Sequence, residues 1–552
     1  MNEKTKTGLV ILEAAVLMGI LGDALLRVTP WGLNVFLWIG ALAAAMVMLT
    51  LRRRNDFLNA QTISLHIALI FFAAMFVWRD STELKVINTL SILTILAILT
   101  LPALKIKINS AGVFHYFYAA TWSAVSTVFS PFVLLLEDVK WKTVPQKGWT
   151  KHLIAVLRGL AIAAPILLVF GALFMAADAV FQGFIERTLN IDPSILLSHV
   201  FLIVLFAWLT AGYLRGTLFE IYSSEQVPNI KPQTLSITEE VKDIKDTVSN
   251  ETKTEATAKE PEKKWDWRNF DNSVLPKSMT LGAIETSVVL GLINLLFLSF
   301  VIVQIPYLFG GMELVQTTPD FKLAEYARRG FGELVIVAAL VLPILLFSHW
   351  LIRKDNPVNE KIYRVLAGVQ IILLFVIMIS ATQRLLLLTG NLGYGLTTVR
   401  LYPMWFMIWL AVIFVWFALT VLRGAREQFA WGALWAAFFM IATLHLFNPD
   451  DFIVRTNVRL MQQGRHFDST YAASLSDDAI PALVESLPTM EMEKQCNVRW
   501  KLGHRFEKAQ QENDFRTWNW SRSTARKELT RNSENFNLAG CPAETRQYTG
   551  DF

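Results

Sequence analysis

Apolar residues in this chain come in runs of about 20, the length at which a helix crosses the roughly 30 Å hydrocarbon core of a bilayer. Eleven such runs fall at residues 8–26, 31–51, 63–78, 86–104, 153–178, 195–218, 281–307, 332–352, 364–388, 401–422 and 428–447. The charges are bunched between them. With 53% apolar and only 18% charged residues, and a mean hydropathy of +0.41, the chain is too apolar for a soluble globular protein. The expected fold class is all-α: a polytopic helical membrane protein of about eleven transmembrane helices with a small helical C-terminal extramembrane domain.

A net charge of +5 could point to nucleic acid. The basic residues, however, sit mostly at the ends of apolar runs, where they anchor headgroups and set orientation, so no nucleic-acid partner is expected. The first run follows a basic start but carries Glu13 and Asp23 and lacks a small-residue cleavage site, and it reads as a retained span. With the N-terminus cytoplasmic, the inner loops receive Arg52 to Arg54, Lys105 and Lys107, the Lys140 to Lys151 cluster, Arg353 with Lys354, and Arg423 with Arg426. That is the positive-inside pattern of a cell inner membrane protein. Residues 111–136 are long enough to cross, yet crossing would carry the Lys140 to Lys151 cluster outside. They read as an interfacial or re-entrant helix. The odd span count puts the C-terminus outside the cytoplasm, and the only two cysteines, Cys496 and Cys541, both follow the last span. A disulfide is expected there, with reduced thiols in a cytoplasmic tail as the alternative.

Four parts follow: residues 1–221, a membrane block of about six spans plus the interfacial helix; 222–278, a polar cytoplasmic linker; 279–447, a block of about five spans; and 448–552, an extracytoplasmic helical domain. In the last, "SLSDDAIPALVESL" offers Ser476 as an N-cap with acids in the first turn, and "EMEKQCNVRWKLGHRFEKAQQ" continues as a second helix.

The charged positions near spans are the candidates for function. Glu325, Arg329 and Glu333 are spaced by four and share a helical face, with Arg328 beside it. Either they form a salt-bridged stripe at the outer interface, or they line an outward-facing polar cavity. Arg384, Arg400 and Asp178 lie at similar predicted depth on other spans. Glu13 and Glu285 lie a turn or two in from the cytoplasmic face and are the proton-coupling candidates, unless Glu13 pairs with Arg158 as a structural ion pair. His66, His199, His349 and His445 stand singly in or beside spans, where the commoner role is a hydrogen-bonded core residue. No HExxH, CxxC, GxSxG or phosphate loop occurs, so no catalytic residue, metal or cofactor is expected and a non-enzyme is favoured. A transferase working through lone carboxylates is the exception such a search misses.

"VQIPYLFGG" (303–311), "AEYARRGFGELV" (324–335), "YGLTTVRLY" (394–402), "NPDDFIVRTNVR" (448–459) and "LSDDAIPALV" (475–484), with "RGLAIAAPILLVFGALFMAADAVF" upstream, resemble bacterial polytopic membrane proteins catalogued as domain of unknown function 4173, with the related 4153. The likeness covers roughly residues 155–490 without the linker. It implies that Gln304, Tyr307, Glu325, Arg328, Arg329, Glu333, Arg384, Tyr394, Thr397, Arg400, Asn448 and Asn457 belong to a family pattern. It brings no substrate or cofactor. The leading expectation is therefore an outer-leaflet site lined by Glu325, Arg328, Arg329, Glu333, Arg384, Tyr394, Arg400 and Asp178 that binds or transports an anionic envelope ligand, with membrane lipids as surroundings. The alternatives are a proton-coupled secondary transporter and a scaffold or sensor recruiting partners through linker and tail.

Overall fold

The computed structural model describes residues 2–53, 57–143, 193–219, 279–309, 323–353, 355–386, 395–511 and 514–536, with isolated positions at 170, 177, 178, 272, 389 and 541. The described residues are 86% helical with no strand. Among them eleven helices are long and apolar enough to cross a membrane. The molecule is a polytopic all-α membrane protein.

The first block holds α1 (Glu3–Leu26), α2 (Leu33–Arg53), α3 (Ala60–Trp78), α4 (Thr82–Ile98), α5 (Val113–Val133) and α6 (Pro193–Leu218). The second holds α7 (Ala283–Phe309), α8 (Leu323–Leu351), α9 (Pro357–Leu386), α10 (Thr398–Thr420) and α11 (Phe429–Phe447). Ten of these match expected spans. The eleventh is α5, which runs on through a π turn to Asp138, whereas the expected span at 153–178 and the linker at 222–278 lie almost wholly outside the described residues.

Helices α1 to α4 alternate in direction, as do α6 to α11, so the bundle has two ends. One carries the chain's start, the α2–α3 turn, the end of α4 and residues 279–282, and is here the linker end. There Leu281 pairs with Ile352 and Asn272 donates to Ile352 O at 2.7 Å. The opposite end carries the C-terminal domain and is the tail end. Although α5 has the length of a span, both its ends belong to the linker end. It starts after Ile108–Ser110, beside the α2–α3 turn. It finishes where Asp138 O accepts from Thr5 Oγ1 at 3.1 Å and Arg215 Nε donates to Asp138 Oδ2 at 2.6 Å.

The spans pack into two apolar cores. Ile11, Leu69, Phe72, Ile95 and Leu214 belong to the first, and Leu290, Ala338, Leu374, Phe414 and Phe417 to the second. Helix α11 divides its side chains between them: Leu434 and Phe438 join the first core, where Phe438 meets Phe72 edge-on at 5.1 Å, and Phe429 joins the second. The two blocks read from sequence are thus stitched by the last span.

Beyond it, α12 (Pro449–Gln462), α13 (Ser469–Ala472), α14 (Ile480–Ser486), α15 (Met492–Gln511) and α16 (Trp520–Arg531) form the tail domain. Its core of Ile453, Ile480, Leu483, Val498 and Leu529 takes in Leu396 and Leu401 from the start of α10, so it is continuous with the membrane block. Ser476 accepts from Asp478 N at 3.3 Å as a cap, and Cys496 is disulfide-bonded to Cys541. The domain is seated on the tail end by hydrogen bonds to backbone atoms of the bundle: Leu33 N donates to Trp518 O at 2.9 Å, and the Asn519 side-chain Nδ2 donates to Phe76 O at 2.8 Å.

Candidate functional site

Glu325, Arg328 and Arg329 lie in the first turns of α8, at the tail end; their side chains, and Tyr394 altogether, lie outside the described residues. Glu333, two turns further on, is exposed. Arg384 reaches the same end in the last turn of α9 and is only 9% exposed. Its Nη2 donates to Gln304 Oε1 on α7, which also accepts from Ser380 Oγ at 3.2 Å. Arg400, in the first turn of α10, donates to Gly395 O. The tail domain holds that segment in place: Asn457 accepts from Leu396 N at 2.6 Å and donates to Leu396 O at 2.8 Å, and Tyr471 OH accepts from Thr398 N at 2.8 Å. Three helices, α8, α9 and α10, thus bring the predicted Arg and Glu positions to one end of the second block. Asp178 is exposed.

The proton-coupling candidates are placed differently. Glu285 stands in the first turn of α7, where its Oε2 accepts from Gly282 N at 3.0 Å and Arg353 lies 3.9 Å away, the arrangement of a helix cap. Glu13 faces outward from α1, and Arg158 lies outside the described residues. Asp23 is 7% exposed and is held by Arg27 at 3.0 Å and His199 at 2.5 Å, linking α1 to α6.

A second polar cluster, which the sequence reading did not assemble, lies under the tail domain. Asp478, 4% exposed, accepts from Asp80 N at 2.7 Å, from Ser81 N at 3.0 Å and from Arg79 Nη1 at 3.3 Å. Arg79 also donates through Nε to His445 O at 2.8 Å and stacks on Trp78. His445 is fully buried and meets Asn88 Oδ1 at 2.9 Å. Beside them Asp450, 1% exposed, accepts from Ser476 N at 3.2 Å and from Ser476 Oγ. Ser81 Oγ donates to Glu83 Oε2 at 3.0 Å. Burial, with the negative charges of Asp478 and Glu83, pushes the Asp450 carboxyl up to about 6. Burial, with Asp80 beside it, pushes Asp477 up to about 6 as well. The acids at 477–478 were visible in the sequence as a helix start, and they serve as such; the partners of Asp478 come from the α3–α4 turn, almost 400 positions earlier. Among the described residues no group of three His, Cys, Asp or Glu is placed to hold a metal. The arrangement can latch a domain to a bundle and can take up protons.

The family described as Domain of unknown function (DUF4153) matches residues 66–486. The chain belongs to this family. The DUF4153 match runs from within α3 to the end of α14, so it takes in α3 and α4, which carried little of the sequence likeness, together with the Arg79–Asp478 junction. The disulfide lies beyond its limit. No curated protein and no solved structure matches the chain.

Proposed function

We propose that this DUF4153 protein binds or transports an anionic envelope ligand at the tail end of its second block. The observation that carries the reading is Arg384, a guanidinium nine-tenths buried near the end of a membrane span and oriented by the Gln304 amide oxygen. A buried guanidinium is costly, and residues of this kind inside membranes face bundle interiors or cavities that serve ligands. α8 and α10 bring Glu325, Arg328, Arg329, Glu333 and Arg400 to the same end, the arginines as bidentate partners for a phosphate or carboxylate and the glutamates to orient them. In this reading the linker end, with Lys105, Lys107, Arg353 and Arg423, faces the cytoplasm of a bacterial inner membrane, and the tail domain faces outward. Helix α5 then enters and leaves on the cytoplasmic side. Kinship with the 4173 family rests on the five sequence motifs and is part of the same proposal.

The test is lipid analysis of protein purified in mild detergent. Wild type should retain anionic lipid that falls at least about tenfold in Arg384→Ala, the effect of one lost charge-assisted pair. Arg329→Ala should do the same. Unchanged lipid content in both variants removes the proposal. A sensor is the second reading, favoured by the two carboxyls at the tail junction that titrate near pH 6. For the proton-coupled transporter, the helix-capping contact of Glu285 weighs towards a structural role.

A further inference from the structure

In the second block α7 and α8 both pack against α9, and a groove opens between them. It holds a cavity of about 170 Å³, walled by Leu290 and Phe297 of α7 and by Val337, Val341 and Leu345 of α8. Its floor includes Gln370 of α9. Gln370 is 1% exposed, and neither its Nε2 nor its Oε1 has a hydrogen-bond partner among the described residues. One turn earlier on α9, Leu366 O accepts from Asn294 Nδ2 at 3.0 Å, and the Asn294 Oδ1 on the neighbouring helix is likewise without a partner. An unmet donor and two unmet acceptors therefore lie close together in an otherwise apolar part of the bundle. A buried amide without partners is destabilising in any protein interior, and in hydrocarbon there is no bulk water to relieve it.

We infer that this groove is a lateral site for a polyprenol-class alcohol, a long isoprenoid whose hydroxyl meets the Gln370 amide. Depth selects the class. Gln370 lies about 20 Å along a helix about 45 Å long, so it sits near mid-bilayer. No charged residue lines the cavity, and a phosphate would have to be desolvated to reach it. A glyceride is held at the interface by its ester carbonyls, whereas an isoprenoid alcohol has no other polar group to keep it there. A hydroxyl both donates and accepts, which satisfies both ends of the amide; a quinone only accepts and would leave Oε1 unmet. Size agrees, since a cavity of about 150 Å³ holds benzene and this one takes about one isoprene unit with its hydroxyl. The groove opens towards lipid, with Leu340 and Ile344 exposed along its rim. The site is separate from the tail-end arginines and does not depend on their role.

The full chain, reconstituted in phosphatidylethanolamine and phosphatidylglycerol vesicles, is irradiated with one of three probes. These are a diazirine-bearing farnesyl-type alcohol, its methyl ether, and a diazirine-bearing diacylglycerol. Mass spectrometry should place alcohol crosslinks in residues 290–297 and 337–345, at least about fivefold above the ether, the effect of one donated hydrogen bond. Gln370→Leu should bring the alcohol down to the ether's level there without changing labelling of α1 or α2. Equal labelling by alcohol and ether on wild type would show chain filling without recognition of the hydroxyl and would overturn the proposal. So would stronger labelling by the diacylglycerol, or no labelling of the groove, the result expected if ordered water satisfies Gln370. The comparison of alcohol with ether needs only wild-type protein, so a misfolded variant does not spoil it.

Discussion

Asp478 gathers two backbone N–H groups and the Arg79 guanidinium while almost wholly buried, so the α3–α4 turn is fastened to the tail domain through one carboxylate. Removing the charge leaves Arg79 buried without that partner, and breaking such a pair typically costs about 3–5 kcal/mol. Asp478→Asn should therefore loosen the junction, read as faster hydrogen exchange at the Asp80 and Ser81 amides with little change in the second block. Asp450 works in the opposite sense. Its carboxyl lies near 6, above the ordinary value of 3.8, so the folded protein binds the proton more tightly than the unfolded chain. Its favourable contribution is complete below about pH 4 and is lost as pH rises through about 6, a change of about 1–3 kcal/mol. Asp477 shifts in the same direction. Thermal unfolding of the tail domain between pH 4 and 8 should show a midpoint that falls with rising pH, and Asp450→Asn should flatten the slope. A midpoint that rises across that window would contradict the assignment. Asp478 was legible as a first-turn acid, because capping is a property of a few neighbouring residues. The contacts of Asp478 with Arg79, Asp80 and Ser81 were not, because those partners belong to a turn almost 400 positions earlier.

At the scale of elements, the approach of α5 to α6 is made by absence. Gly212 and Gly216, spaced by four, share one face of α6, and a Cβ on Gly212 would fall 2.1 Å from Thr127 O of α5. On Gly216 it would fall 2.5 Å from Ser126 Oγ. Small residues at this spacing let helix backbones touch, which matters in lipid because apolar side chains gain nothing there by leaving the solvent. Trp208 Nε1 then donates to Val128 O at 2.9 Å, and Arg215 ties Asp138. Gly212→Val should force the helices apart. The expected result is a lowered thermal unfolding midpoint, whereas Gly40→Val, with open space around it, should leave the midpoint unchanged. Asn448 is a second such device. Its φ of 52° places it in the left-handed region that Asn tolerates better than most residues, and there one residue both ends α11 and starts α12. The end of the span near residue 447 was legible in the sequence. The pairing of α5 with α6 was not, since glycines show where a partner can come close but not which one it is.

At the scale of the whole molecule, the chain starts at one end of the bundle and delivers its tail domain to the other, and the Cys496–Cys541 bond closes that domain across 45 residues. Closing a loop of that length is worth about 4 kcal/mol on the chain-entropy account. Reduction, or Cys541→Ser, should lower the unfolding midpoint of the tail domain while leaving the membrane spans unchanged by circular dichroism. What the sequence determined by itself was the class, the position of nearly every described span and the helical tail, since span length, caps and breaks are written in contiguous residues. What only the tertiary structure decided was the sharing of α11 between two cores, the packing of α5 on α6, and the meeting of Asp478 with Arg79 and of Gln304 with Arg384. The reason is physical: a helix in lipid is apolar all round, so it carries no polar stripe to say which face turns inward. Neighbours are then chosen by shape, small residues and a few buried hydrogen bonds, and these act between elements far apart in the chain.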